Sequence, residues 1–274
     1  MRFKLYREYG ALNSPPVFDA LEKGLRFQGH EIVNENEDVS VIWSVLWAGR
    51  MKYNRQVYQK CLSENRPIMI VEVGNLKRGV TWRLSLDNIN NLGRFSNDKD
   101  LDPTRPSKLG VELKSPPMIR RGEILIACQH QESLQWEGMP LMKDWVADTI
   151  SEVKKYTNRR IRVRYHPRSP FPFQMSGVIV ERPTRIPNTY DDYDIFYNYH
   201  CVINHNSGPA VQAAIHGVPI LCHETSLASP LSIKWNELEH PYLPDRQDWF
   251  IKLCHTEWTV EEITNGIPIS RLFS

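Results

Sequence analysis

The chain has 274 residues, with 34 Lys and Arg against 32 Asp and Glu and a formal charge of +2. That length is enough for two domains of about 100 to 150 residues, and the near balance of charge excludes a protein drawn to nucleic acid by composition alone, so any such binding requires a local basic patch. The five cysteines are scattered without a C-x-x-C pair, which excludes a zinc or redox centre of that kind, and the lack of a signal-type leader or an apolar run near 18 residues predicts a soluble cytoplasmic protein with no membrane partner.

In chain order, the first half alternates strand and helix signals. "FKLY" reads as a strand, residues 15–28 as a helix, then "HEIV" and "VSVIWSV" as strands, residues 52–64 as a helix and "PIMIVEV" as a strand. The order βαββαβ is that of a doubly wound domain. Asn13 and Ser14 are placed to cap the first helix, and Pro15 and Pro16 suit its first turn, where a missing N–H costs nothing. Gly24 stands out inside that helix. From Gly93 to Gly122 the periodicity fails in a stretch rich in Pro, Asp, Ser and Lys, which places an amino-terminal domain at 1–95 and a linker at 96–121.

A second domain is expected at 122–274. Its elements are "EILIACQ", a helix over 140–156, "RIRVRYHP", "GVIVE", and the unit "CVINHNSGPAVQAAIHGVPILC", in which a short helix joins two buried strands. The tail from Asp245 to Gly266 reads as helical twice over, with Thr256 or Thr259 as internal cap, and its last helix is a candidate to pack on the first domain. The fold class expected is α/β, two Rossmann-like domains facing across a cleft that holds the ligand.

Polar groups gather where strands end. Ser207 and Gly208 open a helix whose free N–H groups and dipole suit an anion such as a diphosphate, and His205 precedes them; an ordinary capped helix is the competing explanation. Arg162, Arg164 and His166 alternate onto one face of a strand, with Arg168 beyond it, and guanidinium groups match phosphate oxygens in pairs. Gln129 and His130 end another strand, and Glu224 is placed to accept hydrogen bonds from ribose hydroxyls. In the first half Glu72 lies in or just past an apolar strand, where desolvation would raise its pKa toward that of a general base, with Glu8 and Asp87 as competing carboxylates. Lys77, Arg78, Trp82 and Arg83, followed by Arg94 and Phe95, form a basic and aromatic cluster able to follow a phosphate backbone and stack bases, or simply an ordinary interdomain surface.

"RYHPRSP" together with the Ser207 helix and its following Gly-x-Pro resembles the donor domain of GT-B glycosyltransferases of the capsule-polysaccharide type. The resemblance falls on Arg164, His166, Pro167, Ser207, Gly217 and Pro219, and implies binding of a nucleotide-sugar co-substrate, UDP-linked as the commonest choice. The amino-terminal "LYREYGALNSPPVFDALEKGL", "VIWSVLWAGRM" and "EVGNLKRGVTWR" look like phage-encoded glycosyltransferases of this type, which implies a 5-hydroxymethylpyrimidine in DNA as acceptor. No G-x-G-x-x-G fingerprint is present, and the acidic "DDYD" at Asp191 to Asp194 follows no strand, which favours a metal-independent enzyme with no cofactor. Two other readings stay open: a glycosyltransferase acting on a polysaccharide or lipid-linked sugar, and a non-catalytic nucleotide- or DNA-binding protein.

Overall fold

The computed structural model describes residues 1–117, 122–189, 192–193 and 198–273. The chain divides into two compact units. One comprises residues 1–109, 132–134 and 251–274, and the other 110–131 and 135–250.

The first unit contains β1 (Arg2–Leu5), α1 (Pro15–Phe27), β2 (Glu31–Ile32), β3 (Val39–Trp43), α2 (Asn54–Ser63), β4 (Ile68–Val73), β5 (Thr81–Leu86) and α3 (Arg105–Leu109). The second contains β6 (Ile124–Ala127), α4 (Met142–Tyr156), β7 (Ile161–Arg164), β8 (Val178–Glu181), β9 (Cys201–Asn204), α5 (Gly208–Ile215) and β10 (Ile220–Cys222). The chain returns to the first unit within α6 (Gln247–Cys254) and ends there with β11 (Glu257–Thr259), α7 (Val260–Thr264) and α8 (Ile267–Phe273).

The first sheet has the order β11-β5-β4-β3-β1-β2. Strands β2, β1, β3 and β4 are parallel, whereas β5 runs antiparallel to β4, and β11 antiparallel to β5. All five residues of β3 are buried, as expected of a central strand covered on both faces. Its core joins Phe3, Val41, Trp43, Val71, Trp82 and Leu84 to Phe18, Leu21 and Leu25 of α1. Gly24 has a packing reason: a Cβ there would lie 2.0 Å from the carbonyl oxygen of Ile263 in α7, so only glycine lets the two helices approach.

Several expectations are corrected. Ser14 does not cap α1 with its side chain; its carbonyl instead accepts from the N–H groups of Val17 (3.1 Å) and Phe18 (3.0 Å). Strand β5 is not among the expected strands: its polar residues Thr81, Arg83 and Ser85 are buried rather than solvated, Thr81 and Arg83 with partners, which hides the period-two pattern. Residues 96–109, read as linker, belong to the first unit and contain α3. Between the two expected tail helices lies β11, and Thr259 rather than Thr256 is the cap: its Oγ1 accepts from Glu262 N (3.2 Å) while Glu262 accepts from Thr259 N (2.9 Å), a reciprocal capping box.

The second sheet, β10-β9-β6-β7-β8, is parallel throughout. Ile124, Ile126, Ile161, Val163 and Ile203 pack with Met142, Val146, Ile150 and Val153 of α4. All five strands therefore end on one side, which sets where a ligand of this unit would sit. Among the described residues no helix is long and apolar enough to cross a membrane.

Candidate functional site

In the second unit the carboxyl ends of β6, β9 and β10 are tied into one polar shelf. Asn204, at the end of β9, donates from Nδ2 to the carbonyl of Ala127 (2.8 Å) and to Ser207 Oγ (3.0 Å), while its Oδ1 accepts from Ser207 N (2.8 Å). Asn206 donates its N–H to Gln129 Oε1 (3.1 Å) and its Nδ2 to Thr225 Oγ1 (2.9 Å). The loops that follow three strands are thus tied to one another by side-chain amides.

This arrangement uses Ser207 differently from an ordinary cap. Its hydroxyl is engaged by Asn204 and makes no capping bond to α5, so the helix N-terminus lacks the cap that a serine at this position usually supplies. Beside them Asn206 is 7% exposed, and its Oδ1 has no hydrogen-bond partner. A helix N-terminus without its serine cap, next to a buried amide oxygen without a partner, is an arrangement able to take a polar ligand. Gly208 and Pro209 form the first turn as expected.

Histidines pair around the shelf. His205 is buried between Trp136 (ring centroids 5.3 Å) and His223 (4.6 Å). Burial first, and the neighbouring His223 second, push its pKa down to about 4, so it is neutral at pH 7. His130 meets His166 edge to face at 5.1 Å, and His166 Nδ1 accepts from the Arg168 N–H (3.2 Å). Arg168 and Glu224 are exposed. Gln129 is a bracing residue, its Nε2 donating to the Gln135 carbonyl (3.3 Å).

Arg164 departs from its expected role. It is 4% exposed, and its guanidinium donates to Glu181 Oε1 from Nε (2.9 Å) and Nη2 (2.7 Å) and to the Tyr199 hydroxyl (2.8 Å). Arg162 lies on the same face, as the alternation requires, and donates to Glu181 Oε2 (2.6 Å) and Glu123 Oε2 (3.0 Å). These arginines build an internal charge network with the neighbouring strands instead of presenting a phosphate clamp. Gly217, part of the Gly-x-Pro that follows α5, has φ +73° and its missing Cβ would lie 2.8 Å from Pro116, so its presence is explained by the backbone.

In the first unit Glu72 stands near the carboxyl end of β4, half-buried, with Oε2 accepting from Ser44 Oγ (2.6 Å) and Oε1 from Val73 N (2.9 Å). Glu8 is exposed in the turn after β1, at the same end of the sheet. Asp87 lies at the opposite end: its Oδ1 accepts from Ile68 N (3.1 Å), where β4 begins, and it is a turn residue with φ +70°. It therefore does not share an end of the sheet with the other two.

The basic and aromatic cluster is also dispersed. Trp82 is 4% exposed in the core against Trp43 (5.3 Å), and Arg83 is buried, donating to the Ile89 carbonyl (3.0 Å) beside Glu257 (3.8 Å). Phe95 is buried too, while Lys77 and Arg94 are exposed and Arg78 is half-buried. Neither Trp82 nor Arg83 offers a face to an acceptor, because β5 is an internal strand of the sheet.

Reading residues one at a time passed over Ser44, Glu181, Glu257 and Arg105. Glu257 is fully buried and accepts from Asn75 N (2.5 Å), Leu76 N (3.0 Å) and Thr81 Oγ1 (2.8 Å), fixing the loop that leaves β4. The only sequence signal for it was a carboxylate immediately before Trp258. Among the described residues no group of three or more His, Cys, Asp or Glu is arranged to hold a metal ion. Asp191 and Asp194 lie outside the described residues.

No protein-family model matches the chain, and no curated protein matches its sequence. Among solved structures, the beta Kdo 2,4 transferase of Thermosulfurimonas dismutans KpsC aligns with a TM-score of 0.54 and 11% identity, over 98% of this chain and 98% of that one. The beta Kdo 2,7 transferase of the same KpsC aligns with a TM-score of 0.53 and 12% identity, over 98% and 99% of the two chains. The likeness is one of fold: two Rossmann-like α/β units of the GT-B class, as the strand order of each unit also indicates.

Proposed function

We propose that the chain is a nucleotide-sugar-dependent glycosyltransferase. The observation that carries this reading is the open N-terminus of α5 beside the unpartnered Oδ1 of Asn206, on a parallel sheet whose fold is that of GT-B transferases. The second unit binds the nucleotide diphosphate of the donor, the N–H groups of α5 meeting its phosphate oxygens as negative charge develops on the leaving group. His166 and Arg168 are the donor-side groups with the room to take part, and neutral His205 serves as a hydrogen-bonding group. Arg164 acts at a distance, by holding the end of β7.

In the reaction an acceptor hydroxyl attacks the anomeric carbon, the new C–O bond forms as the bond to the diphosphate oxygen breaks, and the hydroxyl proton passes to a base. Glu72 is the carboxylate we assign to that step, with Glu8 as the competitor at the same end of the first sheet. UDP is the nucleotide we would try first, and the positive end of α5 takes the part that a metal ion plays in Asp-x-Asp enzymes.

The acceptor we propose is a 5-hydroxymethylpyrimidine in DNA, on the strength of the amino-terminal likeness to phage-encoded enzymes and the exposed Lys77 and Arg94. A carbohydrate acceptor is the second reading, favoured by the burial of Trp82 and Arg83, which removes the proposed stacking platform for bases. The two separate in one experiment. The full chain is supplied with a panel of nucleotide sugars and either duplex DNA carrying 5-hydroxymethylcytosine, 5-hydroxymethyluracil or unmodified bases, or polysaccharide, and products are read by mass spectrometry. A sugar-sized gain on a hydroxymethylated base alone supports DNA; a gain on polysaccharide alone transfers the acceptor to carbohydrate.

A further inference from the structure

The end of β3 carries a residue whose backbone and side chain are both unusual. Ser44 is 5% exposed with φ +63°, a left-handed conformation that costs a residue with a Cβ and persists only where its surroundings fix it. Three hydrogen bonds do so. Its N–H donates to the Val71 carbonyl (2.8 Å), its Oγ accepts from Leu46 N (3.2 Å), and the carbonyl just before it, that of Trp43, accepts from Asn54 Nδ2 (2.6 Å). Asn54 is fully buried and also reaches the Tyr9 carbonyl (3.4 Å), so the turn after β1 and the end of β3 are tied by one side chain.

The consequence of this bracing is the direction of Ser44 Oγ, which donates to Glu72 Oε2 at 2.6 Å. The turn itself needs no serine. Glycine or asparagine makes a left-handed turn at lower cost, so what serine adds at this position is a hydroxyl at a fixed point beside the carboxylate.

We infer that Ser44 is the positioning residue for Glu72 in glycosyl transfer: its hydroxyl, aimed by the left-handed backbone, fixes one carboxylate oxygen so that the other lone pairs face the acceptor hydroxyl. The inference rests on the glycosyltransferase reading above. The balance of the step is unchanged by Ser44, which donates one hydrogen bond throughout while the acceptor proton moves to Glu72.

Four variants of the full chain test it with the nucleotide sugar and acceptor that the wild-type protein consumes. Ser44→Gly removes the hydroxyl and relieves the backbone, so kcat falls roughly 10- to 100-fold, the scale of a small misplacement of a catalytic group, while both KM values stay within twofold and the melting temperature does not drop. Ser44→Thr restores the hydroxyl on a β-branched residue that strains the same backbone, so it recovers most of kcat although it melts earlier. Glu72→Gln and Glu72→Gln/Ser44→Gly have the same kcat, because Ser44 works through Glu72. Equal kcat for Ser44→Gly and wild type, or losses in both Ser44 variants that simply follow melting temperature, would overturn the role of Ser44 and leave the transferase reading standing. A wild-type chain that consumes no nucleotide sugar overturns both.

Discussion

Arg164 and Glu181 are paired residues on the adjacent parallel strands β7 and β8, and the arginine donates twice, at 2.9 and 2.7 Å, to one oxygen of that carboxylate. With Arg162 on its other oxygen, Glu181 is held by two guanidinium groups, and although burial opposes ionisation these partners keep its carboxyl below the ordinary range. Arg164→Ala accordingly acts first on stability, costing about 3 kcal/mol in urea unfolding, the low end for removing one partner of a buried pair. The double change Arg164→Met/Glu181→Leu should recover part of that loss. A fully stable Arg164→Ala protein would contradict the structural role.

The interior position of β5 makes an opposite pair of expectations for residues once grouped together. Trp82→Ala is expected to cost about 3 to 5 kcal/mol through loss of a core aromatic, whereas Arg94→Ala, at an exposed site, should lie within about 0.5 kcal/mol of wild type. Denaturant midpoints for the two variants decide this.

Arg105 holds the returning tail. It donates to the carbonyls of Cys254 (2.5 Å) and Glu257 (2.6 Å), pairs with Glu262 (2.7 Å) and lies 4.1 Å over the ring of Trp258. Arg105→Ala should therefore expose residues 251–273 to limited proteolysis and lower stability by about 3 kcal/mol or more, since it also leaves Glu262 without its cation. Unchanged protection of that segment would show that the clamp is dispensable.

Buried histidines set the acid behaviour. The folded pKa of His205, about 4, lies below the value near 6.5 that it has when unfolded, so between these values the unfolded chain binds the extra proton. Its contribution is thus favourable above pH 6.5 and is lost progressively as pH falls to about 4. Burial lowers His200, His216 and His255 as well, and they act in the same direction. Urea midpoints should decline from pH 7 to 5, and His205→Asn should show a shallower decline. An equal slope in the variant would remove His205 from the account.

Much of the architecture was legible because buried parallel strands are continuous apolar runs: β3, β4, β6 and β9 announce themselves this way. β5 and β11 do not, since Arg83 and Glu257 are charged residues that become interior through each other and through Thr81, a relation across more than 170 positions that no local pattern carries. Site residues divide likewise. The place of Ser207 and Gly208 at the start of α5 was visible from the strand-turn-helix order, whereas the partners of Arg164 and the left-handed Ser44 depend on which strands become neighbours.

The most direct measurement is release of nucleoside diphosphate from a panel of nucleotide sugars, UDP-linked first, by the wild-type chain and by Gly208→Val, which places a branched side chain at the opening of α5. The account predicts release from at least one donor by the wild-type protein and a loss of roughly 100-fold in the variant at unchanged melting temperature, the scale of removing preorganised donors from a developing anion. No release from any donor, or equal release by both proteins, would contradict it.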